Sequence, residues 1–205
     1  MTSTPPLRLS SELLNRLEQT WVEQHAPLAS HLRPGLTDTQ MDDITAPLGV
    51  LLPPEARLWW GWHDGVDAPG PYRLWATGAG QYLLSLQESV AEALFQRSLQ
   101  DALTDPNSTA PTVDLWRLTR VPAIDSMSGS LIAIDTADRG PLSPVYWKDR
   151  DGNSSRPPVV PSLGTMISWW IDALEDGLGY DRTTGQWRSE FDGVPDDRAR
   201  THVLG

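Results

Sequence analysis

Residues 32–65, LRPGLTDTQMDDITAPLGVLLPPEARLWWGWHDG, contain the signals that decide the first half of the fold. Thr37 and Gln40 match the capping-box pattern, in which each side chain accepts a hydrogen bond from the backbone N–H of the other residue, so a helix is expected to begin here. Pro47 cannot continue that helix, because proline lacks an N–H and its ring clashes with the preceding turn. The helix is therefore predicted to end around residues 46–49.

The second half of this stretch predicts a further helix that is rich in tryptophan. Its apolar face consists of Leu58, Trp59 and Trp62. Pro53 and Pro54 suit the first turn, where backbone N–H groups have no helical partner. Trp60 is expected to lie to one side of the apolar face and to be half exposed, and Gly61, which costs about 1 kcal/mol relative to Ala in a helix, indicates a close backbone approach. Gly65 is expected to end the helix as a left-handed C′ residue.

An amphipathic helix is predicted before this stretch. Ser10 is a favoured N-cap, and Glu12 places a negative charge in the first turn, where it complements the helix dipole. Apolar residues then recur at a spacing of three to four, which is typical of a helix with one buried face. That face consists of Leu13, Leu14, Leu17, Trp21 and Val22.

After residue 70 the pattern changes to short strands around one helix. Residues 71–77 and 82–84 are apolar and flank a turn-like GAGQ, so each is predicted to be a strand. Ser85 and Glu88 form another capping box, and residues 104–114 have the composition of a loop. The helix that this capping box opens is expected to run through Val90, Leu94, Phe95 and Leu99.

Three further strands are predicted in residues 115–124, 130–136 and 144–149. The second contains four consecutive apolar residues, which indicates a central strand that is covered on both faces. Because short turns separate the three strands, neighbours are expected to be antiparallel. A closing helix is predicted by the apolar stripe of Leu163, Met166, Ile167, Trp170, Ile171 and Leu174.

These elements predict an α+β fold, with a mostly antiparallel central sheet packed by several helices in a single domain. Residues 10–190 are expected to form this domain, between a flexible N-terminus at 1–9 and a polar tail at 191–205. Residues 179–188 are typical of a small hairpin with Gly185 in its turn. A monomer or weak dimer is expected.

The composition restricts the class of partner. The 205-residue chain has a formal net charge of −11, which argues against nucleic acid and anionic membranes as partners, since binding to either needs clustered Lys and Arg. A basic protein is the electrostatically suited partner, although acidity can equally serve solubility alone. With no Cys, no signal-peptide pattern and no apolar run of about 18 residues, a cytoplasmic location is expected.

The sequence contains no recognisable motif for catalysis, a metal or a cofactor. The four His residues form no HExxH or other ligand cluster, and neither a GxSxG elbow nor a phosphate-binding glycine loop occurs. His63 and Asp64 could pair as acid and base, but neighbours on a helix point about 100° apart, and the helix dipole alone explains a His at this position. The tryptophan cluster fits either a buried core or an aromatic binding surface that uses Trp60. No enzyme, cofactor or metal is predicted.

The order of these elements resembles the SMI1/KNR4 family, also called the SUKH superfamily. In that family a short acidic helix leads through an lG..LP element into a helix that ends in an aromatic residue, one or two polar residues and Gly. Residues 116–136, WRLTRVPAIDSMSGSLIAIDT, are similar to the family's paired strands, and the resemblance covers roughly residues 7–190. The chain departs from the family pattern where a Glu usually precedes lG, because residues 46–47 are Ala and Pro and the acids lie at 42–43.

The resemblance implies a non-enzymatic domain that binds another protein. Many bacterial members are similar to immunity proteins, so the expected function is to neutralise a cognate polymorphic toxin, such as a nuclease, by binding its basic domain. The alternative is a regulatory or scaffolding role in cell-wall synthesis or stress signalling, as in fungal relatives. Asp135 matches the Asp that closes the family's central strand, although a turn residue that caps local N–H groups explains it as well. The candidate partner-binding residues are Trp60, His63, Asp64, Asp67, Tyr72 and Asp135.

Overall fold

Helices and antiparallel strands alternate along the chain. The computed structural model describes residues 5–67, 81–103, 116–126, 129–149, 157–176, 180–181, 183–184 and 186–187. The α-helices of these ranges are α1 (Ser11–Glu23), α2 (Asp38–Thr45), α3 (Pro54–Trp62), α4 (Leu86–Leu103) and α5 (Leu163–Glu175). The strands are β1 (Leu32–Pro34), β2 (His63–Val66), β3 (Gln81–Leu83), β4 (Arg120–Ser126), β5 (Leu131–Asp135), β6 (Val145–Lys148), β7 (Tyr180–Asp181) and β8 (Gln186–Trp187).

The first, second and fourth helices begin where their caps predict. Ser10 accepts a hydrogen bond from a backbone N–H in the first turn of α1, and Thr37 and Gln40 form both bonds of the capping box that opens α2. At α4, Ser85 Oγ accepts from the Glu88 N–H at 3.2 Å while Glu88 Oε2 accepts from the Ser85 N–H at 2.9 Å. These three helix starts are confirmed, because each cap forms between residues that are close in sequence.

The chain between α2 and α3 follows its proline and glycine pattern. α2 ends at Thr45, and a 3-10 turn over Ala46–Leu48 leads to Gly49, whose φ of 66° is left-handed. Pro53 is then the N-cap residue of α3, and Pro54 is its first helical residue. The predicted stop near Pro47 and the proline-led start of the next helix are both confirmed.

The end of α3 differs from the prediction. The helix stops at Trp62, and His63 is already extended, with a φ of −146°. Gly65 does take a positive φ, 72°, but it lies in strand β2 rather than at the C′ position. A Cβ there would lie 2.4 Å from the Ser85 backbone nitrogen, so glycine lets β2 approach the start of α4 closely.

The central sheet has the strand order β3-β4-β5-β6, and each neighbouring pair is antiparallel. β5 lies between two partners and all five of its residues are buried, which confirms the central strand that its apolar run predicts. β4 begins at Arg120, later than expected, because residues 118–119 form a turn. Two smaller antiparallel pairs, β1 with β2 and β7 with β8, complete the described strands. The fold is therefore α+β, and the hairpin predicted at 179–188 is confirmed by β7 and β8.

Some expectations fall on parts of the chain that are not described. The predicted strand at 71–77, the loop at 104–114, the turn residue Gly185 and the polar tail at 191–205 lie outside the described residues. The limits of the domain, residues 10–190, therefore stay a prediction.

The segment before α1 is held against α3 and α5. The Leu7 N–H donates to Thr165 Oγ1 at 2.9 Å, and its carbonyl accepts from Ser162 Oγ at 2.6 Å. The Leu9 N–H donates to Glu55 Oε1 at 2.6 Å, and Leu9 is buried. The N-terminus at residues 1–9 is predicted to be flexible, but Leu7 and Leu9 within it are held in place by these contacts.

Aromatic side chains join α1, α3 and α5 in the core. The Trp59 ring centroid lies 6.4 Å from that of Trp170, and the Trp62 ring stacks on Trp21 at 6.0 Å. The whole predicted apolar stripe of α5 is buried, which confirms that helix as a core element. None of the described helices is long and apolar enough to cross a membrane.

The buried face of α1 is narrower than the sequence pattern predicts, because Val22 is exposed. Apolar spacing identifies a helix but not how far around it the neighbouring elements extend. The helix predicted to run through Val90, Leu94, Phe95 and Leu99 is confirmed by α4, in which Val90 is buried and the other three residues are exposed.

Candidate functional site

Trp60 is a core residue, and the expectation that it is half exposed was wrong. It is 0% exposed, and its indole Nε1 donates to the Leu84 carbonyl oxygen at 3.2 Å. α3 is packed on more than one side: Trp59 and Trp62 face the aromatic cluster, while Trp60 faces the chain that leads into α4. The burial of Trp60 therefore favours the interpretation of the tryptophan cluster as part of the core rather than as a binding surface.

His63 links three parts of the fold. Its Nδ1 lies 2.8 Å from the Arg33 carbonyl oxygen, and its Nε2 lies 3.2 Å from Glu18 Oε2. The same Glu18 oxygen accepts from the Trp62 indole N–H at 3.1 Å. Both ring nitrogens are therefore engaged by groups of β1 and α1, and the side chain is only 19% exposed.

Asp64 completes the N-terminus of α4. Its Oδ1 accepts a hydrogen bond from the Leu86 N–H at 2.7 Å, the first N–H of that helix. Desolvation by burial raises the pKa of Asp64, with a smaller rise from the nearby Glu88 carboxylate, while the Leu86 bond and Arg33 oppose it. Because His63 and Asp64 are consecutive in strand β2, their side chains point to opposite faces. They do not form an acid–base pair.

The remaining predicted residues lie in separate places. Asp67 is exposed, and its carboxylate lies 3.9 Å from the Arg33 guanidinium. Asp135 is buried at the end of β5, where Oδ1 accepts from Thr119 Oγ1 at 2.6 Å and from the Ala137 N–H at 3.0 Å. These bonds fit the strand-end capping role. Tyr72 lies outside the described residues. Among the described members of the predicted set, Asp135 at the end of β5 lies in a different sheet from His63 and Asp64 of β2, so these members are not gathered into one site.

An open groove lies instead between the start of α2 and one face of α3. It has a volume of about 620 Å³. Six of its lining residues, Leu36, Met41, Leu52, Pro54, Leu58 and Gly61, present apolar surface, and three, Thr37, Asp38 and Arg57, are polar. Thr37, Asp38 and Pro54 are exposed along the rim of the groove, and Gly61 is exposed on its floor, so solvent reaches the groove.

Charged side chains of α2 and α3 border this groove, and we call Asp38, Asp42 and Arg57 the acidic rim. Arg57 of α3 donates to Asp38 Oδ1 at 3.0 Å and also to Asp42 Oδ1. The hydrogen bond to Asp42, which outweighs the effect of burial, raises the pKa of Arg57. Asp43, next to Asp42 on α2, is exposed as well. Two carboxylates therefore share one guanidinium, and the rim of an apolar groove is net acidic.

Packing in the groove floor does not require the glycine within the tryptophan run. A Cβ on Gly61 would meet the Leu36 carbonyl oxygen and Met41 Cε at 3.7 Å, which is ordinary contact. The close backbone approach expected at Gly61 instead constrains Gly35, whose Cβ would lie 1.9 Å from the Gly61 carbonyl oxygen. The sequence therefore assigned the packing requirement to the wrong glycine. Gly35 needs to be glycine for packing, whereas Gly61 has room for a methyl group.

Two buried charged residues were missed by reasoning from the sequence. Glu55 is 1% exposed, and its two carboxylate oxygens accept from the Leu9 N–H at 2.6 Å and the Ser143 N–H at 2.5 Å. Arg120 is also 1% exposed, and its guanidinium lies 4.0 Å from the ring centroid of Tyr146, a cation–π distance. Nothing in the sequence marks either residue as buried. Glu55 is an ordinary acidic residue in the first turn of a helix, and Arg120 lies in a segment that has the pattern of a strand.

The described site is suited to recognition. Across the described ranges, no three His, Cys, Asp or Glu side chains are placed to hold a metal ion. An apolar floor with a charged rim is the usual composition of a surface that binds a polypeptide. Neither a known protein family nor a curated protein matches the sequence of this chain.

Proposed function

We propose that this chain is a non-enzymatic, protein-binding domain of the cytoplasm that acts as an immunity protein against a cognate polymorphic toxin. The observation that carries the proposal is the acidic character of the chain, with its net charge of −11 and an apolar groove bordered by exposed carboxylates. The resemblance of the order of elements to the SMI1/KNR4 family points to the same function.

Charge explains why such a partner would be basic. Toxins that act on nucleic acid hold phosphates with Lys and Arg, and an acidic protein associates with them faster through electrostatic steering. An acidic surface can also occupy a phosphate-binding cleft directly. The complex is therefore expected to form more slowly as salt is raised, because screening weakens long-range attraction.

Co-expression tests this function. If a toxin gene adjoins the gene for this chain, its C-terminal domain is expressed in a laboratory host from a tightly repressed promoter, with and without this chain. The proposal predicts that colony formation falls when the toxin domain is expressed alone and returns when this chain is present. Colony numbers that stay low in the presence of folded chain would contradict it. A matched control is an unrelated acidic protein of similar size, which should not rescue.

A further inference from the structure

We propose that the groove between α2 and α3 binds an amphipathic helix of the basic protein partner. One apolar side chain of that helix would sit over Gly61, and a neighbouring Lys or Arg would reach the carboxylates of Asp38 and Asp42. The inference rests on the proposed function in one respect, namely that the partner is a basic protein. The place and the chemistry of binding follow from the contacts of the groove itself.

The glycine in the groove floor, Gly61, leaves the surface of α3 bare. Gly61 lies in the last turn of α3, where glycine is less favourable than Ala by about 1 kcal/mol. Glycines in helices are usually explained by a close neighbour or a left-handed backbone, but here a Cβ would make only 3.7 Å contacts. The residue is exposed on the groove. A bare helix surface at this point leaves space for a side chain that comes from outside.

The shape and lining of the groove suit a helix better than a small molecule. Small-molecule sites bury most of their ligand among apolar walls, whereas this groove has exposed residues along its rim and lies between two helices. A helix in a groove makes its contacts through apolar residues spaced three to four apart. The apolar lining residues Leu36, Pro54 and Leu58, which are exposed or partly exposed, offer the matching surface above the buried Met41 and Leu52.

The exposed carboxylates of the acidic rim complement a basic helix. The side chains of Asp38 and Asp42 are 78% and 50% exposed, and Arg57 contacts one oxygen of each. A second cation can therefore approach these carboxylates from the solvent side. Asp43 adds to the negative potential on the same helix. A basic helix is favoured at this rim, and an acidic one is repelled.

A model peptide tests the site without knowledge of the natural partner. The probe is a fluorescein-labelled amphipathic peptide of about 14 residues composed of Leu and Lys, and the matched control peptide has Glu in place of every Lys. Binding to the full chain is measured by fluorescence anisotropy at low salt. The Leu/Lys peptide is expected to bind at least about tenfold more tightly than the Leu/Glu peptide.

Methionine methyl groups show where the peptide binds. The chain has four Met residues, of which Met41 lines the groove and Met166 lies in the core with 0% exposure. In a sample with ¹³C-labelled methionine methyl groups, the Met41 signal is expected to shift on addition of the Leu/Lys peptide while the Met166 signal stays in place. A shift at neither residue despite binding would place the peptide elsewhere and overturn the inference.

Two variants separate the groove floor from the rim. Gly61→Leu fills the floor and is expected to weaken peptide binding about tenfold, whereas Ala91→Leu adds the same side chain at an exposed position of α4 and should change it less than about twofold. Asp38→Asn with Asp42→Asn is expected to weaken binding about threefold and to reduce its salt dependence. Circular dichroism checks that each variant is folded, and the double Asn variant tests the site even if Gly61→Leu fails to fold.

The outcomes distinguish this inference from the proposed function. Absence of binding up to about 1 mM peptide, or binding that neither set of variants changes, overturns the groove as the docking site. Rescue of growth by this chain in that case would leave the immunity function in place. Peptide binding in the groove without rescue would have the opposite meaning, namely a protein-binding site that does not serve toxin neutralisation.

Discussion

Replacement of Glu55 by Gln is expected to destabilise the fold more than its conservative chemistry suggests. Both carboxylate oxygens accept from buried backbone N–H groups, Leu9 at 2.6 Å and Ser143 at 2.5 Å, and these donors come from the N-terminal segment and from the connection before β6. Glutamine keeps one acceptor oxygen but turns an NH₂ group toward the other N–H. One hydrogen bond to a charged group is lost and one buried donor is left unsatisfied, which costs about 2–3 kcal/mol.

Equilibrium unfolding in urea, followed by tryptophan fluorescence, measures this cost. With an m-value of about 2.5 kcal/mol per molar urea, the midpoint of Glu55→Gln should fall by about 1 M, and that of Glu55→Ala, which loses both bonds, by more. Glu12→Gln is the matched control, because Glu12 is an exposed first-turn acid, and it should cost less than about 1 kcal/mol. A Glu55→Gln midpoint equal to that of the control would refute the reasoning.

Three further substitutions test the described geometry by the same urea assay. Asp64→Asn keeps an acceptor for the Leu86 N–H but never ionises. Since burial raises the Asp64 pKa, this group stabilises the wild type most below its unfolded pKa of about 4 and loses that contribution as pH rises through the folded-state pKa, so the variant should gain relative to wild type as pH rises above about 4; a difference independent of pH would contradict this. Gly35→Ala should cost about 2–3 kcal/mol, because its methyl meets the Gly61 carbonyl at 1.9 Å. Gly61→Ala should instead stabilise by about 0.5–1 kcal/mol, and equal signs for the two glycines would refute the account of the groove floor.

Local signals in the sequence were sufficient for most helix boundaries. The capping pairs of α2 and α4 formed as predicted because both partners lie within one turn of each other. The apolar run of β5 predicted a central strand for a similar reason, since a strand buried on both faces has no polar alternation. Such features depend on neighbours in the chain, and so a single sequence contains them.

Contacts between distant segments explain what the sequence did not reveal. Trp60 has an apolar neighbour on each side in the sequence of α3, and only the approach of the Leu84 carbonyl, 24 residues later, shows that its face is buried. The donors to Glu55 lie 46 and 88 residues away. The candidate site was missed for the same reason, since the groove exists only once α2 and α3 pack together. The charge of α2 was visible in the sequence, but its position on the rim was not.

Capture of the natural partner tests the central claim, that this chain binds a basic protein, most directly. The tagged full chain is used to pull down proteins from a lysate of its own organism at low and high salt, and the bound proteins are identified by mass spectrometry. One basic toxin domain should be recovered at low salt and lost at high salt. Recovery of cell-wall synthesis or signalling proteins instead, retained at high salt, would contradict the claim and favour a regulatory scaffold.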